Sequence, residues 1–136
     1  MINKSQKERA LKAFKRNPYV NLIGMELVDL EYGEATLKLK MRKGLEQIHG
    51  LMHGGATASL IDTATGYATA SVLDKGEKAA TIDLTVSYLR PVTKGTVTCT
   101  AKVIKNGKRF MTLTAEARNE EGKLIATALT TYTKIS

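Results

Sequence analysis

Between Gln47 and Asp62 the chain carries a side-chain amide, two histidines, a pair of adjacent glycines and, after a run of small residues, a carboxylate. These are the parts of an acyl-transfer site built around the start of a helix. First-turn N–H groups of a helix have no intrahelical acceptor and can point at a developing oxyanion, and Gly54 and Gly55 let a ligand come close to that backbone. Asp62 is the only ionised side chain between Glu46 and Asp74. Set among small apolar residues, it is expected to be partly buried, and a buried carboxylate needs partners or a task. The spacing of His49 and His53 also raises zinc. Gly50 disfavours a shared helix face there and no third ligand is evident, so no metal is expected.

The elements that must position these residues follow from periodicity. Residues 4–16 have helix-forming composition with Ala10, Leu11 and Phe14 on one stripe, and Asn17-Pro18 closes this N-terminal segment, residues 1–18. Residues 24–30 and 35–41 alternate as strands, with Glu31-Tyr32-Gly33-Glu34 as a hairpin turn. Residues 43–53 have neither period and form a loop. From Gly54 to Leu73 the chain lacks Lys, Arg, Glu and Pro, which predicts a central helix over 54–73, buried on most sides. Its Thr and Gly content lowers helix propensity, so packing must hold it. Four strands over 79–134 are then expected as a meander, with inward positions Ile82, Leu84, Val86 and Tyr88 in the first. Asn106-Gly107 is the strongest hairpin signal, because both central residues of a type I′ turn need positive φ. Tyr88, Phe110 and Met111 are assigned to the core or to an acyl tunnel. The sum is an α+β domain: a curved antiparallel sheet wrapped around one long central helix, preceded by a short N-terminal helix.

A length of 136 residues suits one domain, 1–136, able to bury a core without disulfides. No apolar run reaches membrane-spanning length and no leader pattern is present, so a cytoplasmic protein with no membrane partner is expected. The single cysteine, Cys99, is assigned to the core. The net charge of +8 is scattered over turns and strand faces without aromatic interleaving, which argues against nucleic acid as a partner. A few cations at a pocket mouth would still suit a phosphate-bearing ligand such as coenzyme A.

Three segments together resemble the small acyl-CoA thioesterases of the hot-dog superfamily, in particular the group similar to the phenylacetic-acid-pathway thioesterase. They are Gln47-x-x-Gly50-x-x-His53-Gly54-Gly55, Asp62 nine positions after His53, and Val86-Ser87-Tyr88-Leu89-Arg90-Pro91. The resemblance spans about residues 20–134 and implies the hot-dog fold. It implies that the Gly54 amide binds the thioester carbonyl oxygen, that Gln47 orients the carbonyl or the water, and that Asp62 is the general base or nucleophile. It further implies that His53 supports the loop and pocket and that Thr81 lies near the attacking water. Gly55, Arg90, Lys108 and Arg109 are expected to contact substrate, the three cations through coenzyme A phosphates. Coenzyme A belongs to the substrate and product, and no separate cofactor is implied. A non-catalytic acyl-CoA-binding domain is the alternative, and an acyl-CoA dehydratase or hydratase a weaker one.

Helix arithmetic adds a constraint the motif does not contain. Gly54 and Asp62 are eight residues apart, which is about 12 Å along a helix at about 1.5 Å per residue. A donor and a base must each sit roughly 3 Å from the reacting centre. One helix cannot serve one thioester with both. Asp62 must therefore act with Gly54 of a second chain, in a two-fold homodimer with two composite sites; the resemblance extends this to a homotetramer. Asp62→Asn is expected to abolish thioester hydrolysis while keeping the assembly, measured by thiol release and gel filtration. Hydrolysis at the parent rate would place the base elsewhere.

Overall fold

A computed structural model describes residues 2–135. The helix α1 (Lys4–Lys15) opens with an Asn3 and Gln6 capping box. As expected, α1 ends just before Asn17-Pro18, and Asn17 in addition caps a second short helix, α2 (Pro18–Ile23), which the sequence reading lacked. Its side chain accepts the Tyr19 and Val20 N–H groups, and Pro18 suits the first helical position, where no N–H is required. The strands β1 (Met25–Glu31) and β2 (Glu34–Lys40) form a hairpin through Tyr32-Gly33, as the turn residues predict. A single 3-10 turn at Lys43–Leu45 starts the loop before α3 (Gly54–Ala70), which ends three residues short of the expected Leu73.

Four strands follow: β3 (Lys78–Tyr88), β4 (Thr96–Asn106), β5 (Phe110–Arg118) and β6 (Leu124–Ile135). All neighbours in the sheet are antiparallel, in the order β1-β2-β4-β5-β6-β3. Only β4, β5 and β6 form a meander. The expected four-strand meander is corrected at β3, which pairs with β6 and forms a free edge of the sheet. The chain crosses from β3 to β4 at the other end of that meander through residues 89–95, so β3 is a separate element added at the far side.

The helix α3 lies in the curve of the sheet and touches all six strands. Its inward stripe of Ala56, Leu60, Ile61, Ala64, Thr65 and Ala68 follows the helical period and is buried, its apolar members in one core cluster with Leu37, Leu39, Met111 and Leu113 of the sheet. Fully burying a side chain such as Leu60 or Leu113 is worth about 1.5–3 kcal/mol, against tenths for the unfavourable helix propensity of a threonine. Packing therefore outweighs propensity in this helix. Small residues on the stripe let the helix axis approach the sheet closely.

Two local departures from the expected pattern have physical causes. In β3 the register slips between Thr81 and Asp83, leaving Ile82 as the extra residue of a bulge. A bulge reverses the alternation beyond it. Thr81 then shares the α3-facing side with Leu84, Val86 and Tyr88, while Ile82 is 51% exposed rather than in the core. At the β4–β5 connection neither Asn106 nor Gly107 has positive φ, so the expected type I′ turn is absent. The loop runs over residues 107–109 and is closed by Gly107 N–H donating to the Phe110 carbonyl at 2.9 Å. Glycine is required there for space: a Cβ would lie 2.5 Å from that carbonyl oxygen. Phe110 is 48% exposed, outside the core to which it was assigned, while Met111 is fully buried. Gly107→Ala is expected to lower stability by about 1–3 kcal/mol through this overlap, measured by denaturant unfolding. Parent stability would show that the hairpin relaxes at no cost.

Candidate active site

The start of α3 is set by His53. Its backbone is extended and its Nδ1 accepts the Gly55 N–H at 2.8 Å. The Ala56 and Thr57 N–H groups donate to the His53 carbonyl. Of the first-turn amides, Gly54 alone donates to no acceptor among the described residues. The cap thus selects one amide, at the positive end of the helix dipole, for an outside acceptor. Space is tighter at Gly55 than at Gly54. A Cβ on Gly55 would stand 2.9 Å from His53 Nδ1, and one on Gly54 would stand 3.4 Å from the Tyr88 ring. The Tyr88 hydroxyl donates to the Gly54 carbonyl at 2.8 Å, tying β3 to the helix start. Tyr88 is 54% exposed, so its place is beside the site and not in the core.

Gln47 lies across the same cleft, a cavity of about 320 Å³ that also includes Thr57, Tyr88 and Arg90. Its Oε1 accepts the N–H groups of His49 and Leu51. With the oxygen held inside the loop, the Nε2 amide is the end left to face the cleft as a donor. The loop itself is fastened by the Met52 N–H to the Val92 carbonyl at 2.8 Å and the His53 N–H to the Leu45 carbonyl at 2.7 Å.

Asp62 is exposed on α3, so the burial expected of it does not exist within one chain. Its Oδ1 accepts the Thr81 hydroxyl at 3.2 Å and, more distantly, the Tyr132 hydroxyl at 3.5 Å. No bond to Oδ2 is present among the described residues. Tyr132 is buried, and that burial pushes its phenol above the ordinary tyrosine range, which keeps it a donor at neutral pH. The hydroxyl also meets Thr65 Oγ1 at 2.9 Å and the Asp62 carbonyl at 3.1 Å. Tyr132 was missed in the sequence, although it continues the inward alternation of Ala126, Ala128 and Thr130 by one step. A second cavity, of about 470 Å³, contains Asp62, Gly66, Ala70, Thr81 and Tyr132.

The expected site residues therefore fall into three groups. Gln47, His53, Gly54, Gly55 and Arg90 gather at the start of α3. Asp62 and Thr81 lie two helical turns on, about 12 Å along an unbroken helix. Lys108 and Arg109 sit in the β4–β5 loop, facing Lys75 and Lys134, at the Lys78 end of β3. Arg90, by contrast, follows the Tyr88 end and donates to the Leu124 carbonyl at 2.9 Å. The three expected cations are thus not one group within a chain; some ten strand residues, roughly 33 Å, separate them. Cys99 is fully buried, and burial pushes its thiol up to about 12, so it is no nucleophile at neutral pH.

An antiparallel six-stranded sheet wrapped round one long helix is the hot-dog arrangement, which the chain shares with solved thioesterases. The description that matches residues 49–126 is that of the thioesterase superfamily. The medium/long-chain acyl-CoA thioesterase YigI of Escherichia coli K12 is 32% identical over 130 residues, covering 85% of this chain and 84% of that protein. A thioesterase from Haemophilus influenzae superposes with a TM-score of 0.88 at 26% identity, over 95% of this chain and 90% of the other. The PaaI protein from the phenylacetic acid degradation operon of E. coli gives 0.87 at 27% identity, over 96% and 92%. The chain belongs to the thioesterase superfamily.

Tyr132→Phe removes the hydroxyl that joins β6 to Asp62 and Thr65. A stability loss of about 1 kcal/mol is expected, the usual net worth of such a hydrogen bond, measured by denaturant unfolding. An unchanged midpoint would show that the hydroxyl holds nothing in place.

Proposed function

We propose that the protein hydrolyses an acyl-CoA thioester to a free carboxylic acid and coenzyme A at sites shared between two copies of the chain. The observation that carries this reading is the pairing of one unpaired helix-start amide, Gly54 N–H, with a carboxylate held by hydroxyls on the same rigid helix, too far along it to act beside that amide. The thioester carbonyl oxygen accepts from Gly54 N–H, with the Gln47 amide as a second donor. Asp62 Oδ2 takes a proton from water, the resulting hydroxide forms a bond to the carbonyl carbon, and negative charge moves to the oxygen facing Gly54. One such donor is worth about 3 kcal/mol to the transition state. Collapse breaks the carbon–sulfur bond, and coenzyme A leaves as the thiolate and takes up a proton. The Thr81 and Tyr132 hydroxyls hold Oδ1 and aim the carboxylate. No redox or metal cofactor enters; coenzyme A arrives with the substrate.

The second copy also explains the scattered cations. With Gly54 of one copy beside Asp62 of another, Tyr88, bonded to Gly54, lies beside the second copy's Thr81, bonded to Asp62. The outer edge of β3 is unpaired in the sheet and can accept an antiparallel strand. In that register Arg90 faces residue 79 of the second copy, next to Lys78, whose strand partner Ile135 adjoins the Lys108–Arg109 loop. Arg90 from one copy and Lys108 and Arg109 from the other then bracket one site for the coenzyme A phosphates. The outward stripe of α3, Ser59, Asp62, Gly66 and Ala70, would lie in the same interface and give Asp62 the burial it lacks alone.

Subunit mixing tests the composite site. Asp62→Asn and Gln47→Ala chains, each impaired alone, should recover on co-refolding about a quarter of parent thiol release, because half the dimers are mixed and each mixed dimer holds one intact site. No recovery would mean that each site is contained in one chain. Stable binding of acyl-CoA with no thiol release by the parent protein would overturn the hydrolytic reading.

A further inference from the structure

Two consecutive peptide groups open α3, and they meet at Gly54. The first joins His53 to Gly54. Its carbonyl accepts the Ala56 N–H at 2.9 Å, and its N–H is the donor left without an acceptor among the described residues. The second joins Gly54 to Gly55 and is held at both ends. Its carbonyl accepts the Tyr88 hydroxyl at 2.8 Å, and its N–H donates to His53 Nδ1 at 2.8 Å. Glycine is the residue about which two such planes turn most freely, and the first turn of a helix has the fewest backbone bonds to stop them. The direction of the free N–H therefore depends on a brace from outside the helix. Tyr88, at the end of β3, supplies it: the ring comes within 3.4 Å of the place a Gly54 Cβ would take. Tyr88 lines the cleft that contains Gln47 and Gly54, but its one hydroxyl proton is committed to the Gly54 carbonyl, so it offers the cleft no donor of its own.

We propose that Tyr88 is a positioning residue for thioester hydrolysis: through the Gly54–Gly55 peptide and His53 it fixes the direction of the Gly54 N–H that receives the oxyanion. This rests on the acyl-CoA hydrolase reading above and adds a residue to its machinery. The bonds run one way, from the Tyr88 O–H through the peptide C=O and N–H to the imidazole nitrogen. Each polarises the next, and loss of either end loosens the same peptide. The Gly54 donor acts on charge that develops in the transition state. Turning it aside therefore lowers kcat and leaves the binding of the ester nearly unchanged. The brace comes from an edge strand and not from the helix, so the oxyanion donor of a chain is only as well directed as the end of β3 is well seated.

The test is thiol release by full-chain variants, on one acyl-CoA ester that the parent turns over, at concentrations where the variants elute from gel filtration with the parent. Tyr88→Phe keeps the ring and should lower kcat by about tenfold with KM within about twofold. His53→Ala should lower kcat by about tenfold or more, and His53→Asn, whose Oδ1 takes the place of Nδ1, should recover most of that loss. Because both residues hold one peptide, the Tyr88→Phe, His53→Ala double variant should lose much less than the product of the two single losses. Asp62→Asn chains, which leave the ester unreacted, give a second readout. In them the infrared stretch of an isotope-labelled thioester carbonyl should lie below its position in water, and adding Tyr88→Phe should return it part of the way. A parent-like kcat in Tyr88→Phe, losses that multiply, or a carbonyl stretch unmoved by Tyr88→Phe overturns the inference while leaving thioester hydrolysis in place. Absence of thiol release by the parent from every acyl-CoA ester overturns the hydrolase reading itself.

Discussion

A single unbroken helix carries both the unpaired Gly54 amide and the Asp62 carboxylate, and its rigidity governs the arrangement of everything around it. Eight residues of α-helix cannot be folded back on themselves, so the two groups face the same side of the sheet about 12 Å apart. The surrounding elements conform to this. His53 takes the Gly55 amide, and so leaves one amide and not two at the helix start. Tyr88 and Thr81, seven residues apart on β3, fasten that edge strand to the two ends of the same interval. On the proposed reading each chain presents two half-sites and completes neither.

The bulge at Ile82 is the second device on which the site depends. Without it, strict alternation would turn Thr81 away from α3 and point Ile82 at Asp62. An isoleucine there would offer the carboxylate no hydrogen bond and would close the cavity that contains it. One extra residue exchanges an apolar side chain for a hydroxyl at that position and leaves the Leu84, Val86 and Tyr88 side unaffected. Edge strands tolerate bulges more readily than central ones, because only one neighbouring ladder is interrupted. The position of β3 at the sheet edge and the aim of Thr81 are therefore linked.

Much of the fold was legible in the residues. The uncharged run from Gly54, the alternation of residues 35–41 and the inward positions of β4, β5 and β6 all report burial directly, since apolar side chains mark the face removed from water. Local chemistry was read less well where two causes compete. Asn17-Pro18 can serve as a helix stop and as a helix start, and here it does both, following the end of α1 and opening α2. Asn106-Gly107 suits a two-residue turn, but the strands continue differently and the glycine answers a steric demand from Phe110. The polar supports of the carboxylate were the hardest to see. Tyr132 is seventy residues from Asp62, and nothing in the spacing of a tyrosine announces which carbonyl or carboxylate it will meet.

The sequence by itself determined the set of groups able to do chemistry, the helix that carries Gly54 and Asp62, and the distance between them, because helical rise is a local property of the backbone. Tertiary structure alone decided that β3 lies beside β6, that a bulge turns Thr81 toward Asp62, and that Arg90 stands far from Lys108 and Arg109 in one chain. These outcomes depend on which strands become neighbours and how side chains far apart in the chain fill shared volume, and such long-range packing leaves no periodic trace in the residues.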